Sequence, residues 1–154
     1  MGRWIVARSH PSREVWAAEQ CTRQGFSVFL PRILELNGRG DGRLAIEAGR
    51  GGRIIESYPD GEQFEVGHVR VWDPPGRLVF SWRAASFPPD RETEVHVRFE
   101  HVDGGTRVVV EHLGWDGIPQ EHAARHGFPL LPFQQRLAEW WQALLDSLAT
   151  ASTT

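Results

Sequence analysis

The sequence has only one cysteine, Cys21, so no disulfide can form within the chain. It also lacks an excess of positive charge, because 17 basic residues stand against 20 acidic ones and the formal net charge is −3. Domains that bind nucleic acid usually carry a basic surface, so this balance argues against nucleic acid as a partner. A lone cysteine fits a reducing compartment.

Long apolar segments are missing as well. No run approaches the ~20 residues that a membrane-spanning helix needs, and no signal-peptide core follows Met1. We therefore expect a soluble, cytoplasmic protein with no membrane span. The length predicts a single domain over residues 1–150, with a disordered tail at residues 151–154.

Aromatic residues, in contrast, are abundant, and three of them lie in a central hairpin at Gly67–Trp82. Seven tryptophans are many for 154 residues. The segment Asp73–Gly76 reads Asp-Pro-Pro-Gly, which is typical of a tight turn. After the turn, Leu78, Phe80 and Trp82 recur with a period of two, so they share one face of a strand. Such a face needs a large apolar partner.

Strand patterns dominate the chain from Gly49 onward and predict an antiparallel meander. Thr93–Val102 alternates most clearly, with Val95, Val97 and Phe99 on one face. Asp-Gly and Gly-Gly turns separate the neighbouring runs. The predicted strands are Trp4–Arg8, Arg53–Tyr58, Gln63–Trp72, Leu78–Arg83, Thr93–Val102 and Thr106–Leu113.

Two helices are predicted, one near each end of the chain. The first runs from Arg13 to about Gln24, and Gly25 ends it. The second, Phe133–Leu148, carries an apolar stripe at spacings of three and four residues. We expect a curved antiparallel sheet to close over this second helix, which makes the fold class α+β.

Catalytic and metal-binding motifs are weak. His122 and His126 are four residues apart but lack the glutamate of a zinc-protease helix, and we expect no metal site. Glu111 and His112 could form an acid–base pair, although a cross-strand polar pair is the simpler interpretation. Neither a nucleophile elbow nor a phosphate-binding loop is present, so no catalytic residue and no cofactor are predicted.

The inner faces of the strands and the stripe of the second helix define a candidate apolar pocket. If packing leaves a void there, it suits a small hydrophobic molecule; alternatively, the same side chains fill the interior completely. The large side chains argue against a ligand the size of a sterol. The predicted ligand-binding residues are Phe64, Phe80, Trp82, Val97, Phe99, Phe133, Leu137, Trp140 and Trp141.

Several of these segments resemble the bacterial AHSA1-like family (activator of Hsp90 ATPase homologue 1-like), within the START-like or SRPBCC superfamily. The matching features occur in one order over roughly two-thirds of the chain. They are Gly51-Gly52, Asp60-Gly61, Gly67, Trp72 with Pro74-Pro75, the strand with Leu78, Phe80 and Trp82, Thr93–Val95, and Gly105-Thr106. The resemblance implies a helix-grip fold, in which a curved sheet wraps a long C-terminal helix.

The first 32 residues also resemble the start of the N-terminal domain of NusG-type transcription elongation factors. Trp4, Arg8 and Pro11 carry this match together with Gln24–Phe26 and Pro31-Arg32. The remainder of such a domain does not follow. We interpret the likeness as convergence on a strand–helix–strand pattern; the alternative is a NusG-like fragment.

The leading hypothesis is a non-catalytic protein that binds a small hydrophobic molecule. The resemblance also implies two alternatives: a chaperone-interacting module of the Hsp90-activator kind, and a cyclase- or aromatase-type enzyme. The enzyme would need an inward-facing ionisable pair, for which His96, Glu111 and His112 are the candidates. The sequence does not specify an oligomeric state.

Overall fold

A computed structural model describes residues 5–8, 42–74, 76–83, 87–103 and 105–152. The helix predicted at Arg13–Gln24 lies outside these residues. So does the NusG-like segment, apart from Ile5–Arg8.

The described strands form one seven-stranded antiparallel sheet. Its spatial order is β1-β7-β6-β5-β4-β3-β2, so the chain runs as a meander from β2 to β7 and β1 completes the edge beside β7. The meander is the arrangement that the strand pattern predicted. The strands are β1 (Ile5–Arg8), β2 (Arg43–Ile46), β3 (Arg53–Ser57), β4 (Gln63–Asp73), β5 (Arg77–Trp82), β6 (Thr93–Val102) and β7 (Gly105–Leu113).

The turns form where the sequence placed them. Between β3 and β4, the Gly61 N–H donates to the Tyr58 carbonyl at 3.0 Å. Between β4 and β5, the Gly76 N–H donates to the Asp73 carbonyl, also at 3.0 Å. Proline and glycine favour these turns because proline fixes its own φ and glycine has no side chain to clash.

A single long helix, α1 (Leu130–Ser152), follows the sheet. It begins three residues before the predicted start at Phe133, and it includes Pro132 in its first turn. Proline is tolerated there because the first backbone N–H groups of a helix have no partner within it. The Phe133 N–H already donates to the Pro129 carbonyl at 3.0 Å.

The main core lies between the curved sheet and α1, so the predicted helix-grip architecture is confirmed. The inner sheet face contributes Phe80, Val95, Val97 and Val110, each almost completely buried. The helix contributes Trp141 and Leu145. We use the term inner face for the side of the sheet that contacts α1.

Strand β4 bends where it passes β5, and Gly67 permits the close approach. An ideal Cβ built at Gly67 would overlap the backbone carbonyl oxygen of Ser81. The Ser81 hydroxyl accepts a hydrogen bond from the His68 N–H at 3.0 Å. The register between β4 and β5 then shifts between Val69 and Val71, which marks a β-bulge.

Among the residues that the structure describes, no helix is both long enough and apolar enough to cross a membrane.

Candidate functional site

The nine residues predicted to bind a ligand all lie in or against the apolar interior, but they differ in exposure. Five are buried: Phe80, Trp82, Val97, Phe133 and Trp141. The other four are half-buried and pack against the core: Phe64, Phe99, Leu137 and Trp140.

The structure divides these residues between two clusters. Phe133 packs in a second cluster with Phe87, Trp115 and Ile118, beside the segment that connects β7 to α1. The Trp115 and Phe133 rings are 4.6 Å apart between centroids. Leu137 contacts both clusters and therefore joins them. The sequence predicted that Phe133 lines the same pocket as Leu137 and Trp141, because all three belong to one apolar stripe of the helix.

Aromatic rings in the main cluster meet edge to face. Phe80 and Trp82 lie 6.4 Å apart on the inner face of β5. On α1, the Trp140 and Trp141 rings are separated by 5.2 Å. Edge-to-face contacts place the positive ring edge against the negative ring face, which stabilises the pair beyond the area it buries. Trp141 is deeply buried, whereas Trp140 keeps part of its surface exposed.

A hydrogen-bonded chain crosses this interior at His112. The Trp141 Nε1–H donates to His112 Nδ1 at 3.2 Å, and His112 Nε2 lies 2.8 Å from the Thr93 hydroxyl oxygen. The Thr93 hydroxyl in turn donates to the Trp82 carbonyl at 3.0 Å. An indole nitrogen can only donate, so Nδ1 must be the acceptor and Nε2 must carry the proton. The chain therefore fixes a neutral imidazole in one tautomer.

The environment of His112 opposes its protonation. Only 8% of the residue is exposed, and burial lowers the pKa of its imidazole from the ordinary 6.5 to about 3. The Trp115 and Trp141 rings lie 5.1 and 5.9 Å from the imidazole ring. An imidazolium there would lose water and gain no carboxylate among the described residues. His112 is thus a structural hydrogen-bonding residue, neutral at physiological pH.

This depressed pKa predicts an acid-sensitive fold. Between pH 6 and pH 4 the unfolded chain binds a proton at His112 that the folded protein does not, so stability falls as the pH falls. The contribution is about 1.4 kcal/mol per pH unit, or about 2–3 kcal/mol over that window. Urea denaturation at several pH values gives the free energy of unfolding as a function of pH. Between pH 6 and pH 4 this free energy should fall less steeply in His112→Gln than in the wild type, by about 1.4 kcal/mol per pH unit.

The control for that measurement is His126→Gln, because His126 is exposed at the end of a short 3₁₀ turn. The free energy of unfolding of this control variant should depend on pH as it does in the wild type. If the free energy of unfolding depends on pH equally in the wild type and in His112→Gln, the pKa of His112 is not lowered in the folded protein.

The other histidine and glutamate candidates lie elsewhere. Glu111 and His112 are consecutive on β7, so their side chains point to opposite faces of the sheet. On the outer face, His96 Nε2 contacts the Glu94 carboxylate at 2.6 Å. His122 caps the 3₁₀ turn Ala123–Arg125, with its Nδ1 accepting from the Ala124 N–H at 3.2 Å. In the described ranges, no three potential ligands are grouped around a metal site.

Sequence reasoning missed Arg125, which organises the segment before α1. This residue is 4% exposed, and its guanidinium donates to the carbonyls of Trp115, Ile118 and Phe128 at 3.4, 2.9 and 2.8 Å. It also lies over the Phe133 ring, 5.3 Å from the centroid. Its hydrogen-bond acceptors are backbone carbonyls, which every residue has, so the sequence pattern does not identify them.

Glu56 was missed as well. It shares the inner face of β3 with the fully buried Ile54, and only 8% of it is exposed. The signal was present in the sequence, because Glu56 is two positions after Ile54 and a strand places both on one face. It was hidden by the usual expectation that a glutamate lies in solvent.

The chain has similarities to known proteins that agree with this architecture. Residues 40–152 match the family model described as activator of Hsp90 ATPase homolog 1-like protein. A comparison with curated protein sequences gave no match.

Solved structures include three instructive neighbours. DynU16, a protein in the dynemicin biosynthetic locus, has a TM-score of 0.59 and 20% identity, with 98% of this chain and 47% of that chain covered. ChR145 from Cytophaga hutchinsonii has a TM-score of 0.58 and 12% identity, with 96% and 91% covered. An HSP90 activator from Plasmodium falciparum has a TM-score of 0.54 and 19% identity, with 90% and 89% covered. At these identities the likeness shows a shared fold.

Proposed function

The chain belongs to the activator of Hsp90 ATPase homologue 1-like family, and from that premise we propose that it is a non-catalytic binding protein. Its ligand is a small hydrophobic molecule, held between the inner face of the sheet and α1. We refer to this space as the cleft.

One observation carries the proposal: large apolar side chains around the cleft remain partly exposed although they pack against a fully buried core. Phe64, Phe99 and Trp140 are three of them. Apolar surface left in contact with water costs free energy, and a bound apolar molecule removes that cost. Concave, mostly apolar surfaces with a few polar groups are typical of small-molecule sites.

The packing also limits the size of the ligand. Trp141 and Leu145 are buried in the middle of the interface between sheet and helix, so the centre is occupied by protein. The partly exposed side chains belong to β4, β6 and α1. This arrangement favours a ligand of one or two rings over one the size of a sterol.

The ionisable residues support binding rather than catalysis. His96 and Glu111 lie on the outer face, away from the cleft. Both ring nitrogens of His112 are engaged, and its low pKa keeps it from serving as a base or acid near neutral pH. A cyclase- or aromatase-type activity would have to use other groups.

Native mass spectrometry of the freshly purified protein tests the proposal. We expect an adduct that disappears on denaturation and whose mass identifies the ligand. Adding that compound at about 100 times its dissociation constant should stabilise the fold by about 2.7 kcal/mol, measured as a thermal shift.

Two substitutions on α1 provide the matched comparison. Leu137→Trp adds bulk where the two clusters meet and should abolish the adduct. Leu131→Trp makes the same change at a residue that is 73% exposed, and the adduct should persist. A bare mass, together with no thermal shift across a panel of one- and two-ring compounds, would contradict the proposal and favour a filled core.

A chaperone-interacting role remains the second prediction, because the family takes its name from an Hsp90 activator. This role needs an external docking surface, which Leu137→Trp, at a half-buried position between the two clusters, would leave intact. Retained stimulation of an Hsp90 ATPase by that variant would therefore support the chaperone role and separate it from ligand binding.

A further inference from the structure

Glu56 occupies an unusual place for a carboxylate. It lies on the inner face of β3, directly opposite Phe64 in the register between β3 and β4. Its neighbour on the same face, Ile54, belongs to the main core. The carboxylate also fills the space beside Gly42, since an ideal Cβ at position 42 would overlap Glu56 Oε1. The Glu56 side chain is therefore largely enclosed by protein.

Glu56 is largely buried, with only 8% of the residue exposed. In the part of the chain that the structure describes, no group donates a hydrogen bond to its carboxylate, and no arginine or histidine pairs with it. The other buried polar side chains behave differently: Ser81, Thr93, His112 and Arg125 all form hydrogen bonds. A largely enclosed carboxylate without a protein partner is free to accept a hydrogen bond from a ligand.

Phe64 places this carboxylate at the wall of the cleft. Phe64 packs against the core and remains half-buried, so its ring borders both the interior and the exposed side of the cleft. The Arg83 guanidinium lies over that ring, 5.6 Å from its centroid. The aromatic surface of Phe64 thus has a guanidinium on its ring and a carboxylate opposite it across the strand pair.

We propose that Glu56 is the polar anchor of the cleft and accepts a hydrogen bond from an amine or hydroxyl group on an otherwise apolar ligand. The inference rests on the proposed binding function and adds the chemical class of its ligand. The apolar body of the ligand lies against Phe64 and its neighbours, while the donor group faces the Glu56 carboxylate. A donor on the ligand forms a charge-assisted hydrogen bond with this carboxylate, which is stronger than a hydrogen bond between neutral groups.

Three compounds of nearly equal size test this assignment: 1-naphthylmethylamine, 1-naphthylmethanol and 1-methylnaphthalene. The amine and the alcohol carry a donor, and the methyl compound does not. Isothermal titration calorimetry should show at least one donor compound binding about 10- to 100-fold more tightly than 1-methylnaphthalene. The relative affinities of amine and alcohol distinguish the two donor types.

Glu56→Leu should remove this preference and leave the binding of 1-methylnaphthalene intact. The matched control is Glu65→Leu on the neighbouring strand, where the carboxylate is exposed and pairs with His68, so the preference should survive. A preference that is absent in the wild type, or unchanged in Glu56→Leu, would overturn the assignment while leaving hydrophobic binding in place. If none of the three compounds binds, the assignment fails, whereas the broader proposal is decided separately by the native mass.

Stability supplies a second, ligand-independent readout. If the carboxylate is buried without a partner, replacing it with leucine should raise the melting temperature of the ligand-free protein by several degrees. Glu65→Leu should leave the melting temperature nearly unchanged. A lower melting temperature for Glu56→Leu would mean that the carboxylate has a stabilising partner within the fold, and the assignment would be wrong.

Discussion

Replacing Trp141 with alanine should lower the free energy of unfolding by about 5 kcal/mol, the upper end of the range for truncating a buried aromatic residue. Two effects combine. The indole is 2% exposed and lies between the sheet and α1, so its loss leaves a large cavity. Its N–H is also the donor to His112 Nδ1, and an unsatisfied buried acceptor adds about 1–3 kcal/mol.

Urea denaturation of two further variants separates the two effects. Trp141→Phe keeps most of the ring but removes the N–H, and we expect a loss of about 2–3 kcal/mol. Trp140→Ala truncates the adjacent, half-buried tryptophan and should cost about 1–3 kcal/mol. If Trp141→Ala costs no more than Trp140→Ala, then Trp141 does not hold the helix against the sheet.

Trp82→Ala should destabilise the fold by about 3–5 kcal/mol. Trp82 is buried on the inner face of β5, where its ring meets the Phe80 ring edge to face at 6.4 Å. Its removal would open the core at the end of β5 and would also eliminate this aromatic contact. Chemical denaturation monitored by circular dichroism measures the loss.

Trp72→Ala is the comparison for Trp82→Ala. Trp72 packs against the same core from β4 but is only half-buried, so a smaller loss is expected. A change within about 0.5 kcal/mol for Trp82→Ala would show that the burial assigned to this side chain is wrong.

The strands and turns of the meander were predictable because their determinants are local. Strand β6 alternates Val95, Val97 and Phe99 with polar residues, and the structure buries or half-buries those three as expected. Likewise, the Pro59–Gly61 and Asp73–Gly76 turns depend on the conformational preferences of proline and glycine. The apolar stripe of α1 predicted the helix, but not its first turn, because proline is a weak signal where it is tolerated.

The candidate site was predictable only in part. Hydrophobic side chains on a known face of a strand or helix must be covered, which is why all nine predicted residues lie in or against the interior. The same pattern does not predict what fraction of each of the nine side chains remains exposed to solvent. Val79 and Ser81, on the opposite face of β5, are buried as well, and period-two alternation alone does not reveal that.

The sequence by itself determined the α+β class, the order of the strands from β3 to β7 and the residues available for an apolar interior. These follow from periodicity and turn chemistry, which act over a few neighbouring residues. The tertiary structure alone decided the pairing of β1 with β7 and the contact of His112 with Trp141, 29 residues further along the chain. It also decided how completely Glu56, whose face the strand pattern already indicates, is enclosed. Each joins or encloses groups far apart in sequence, so only the packed chain brings them together.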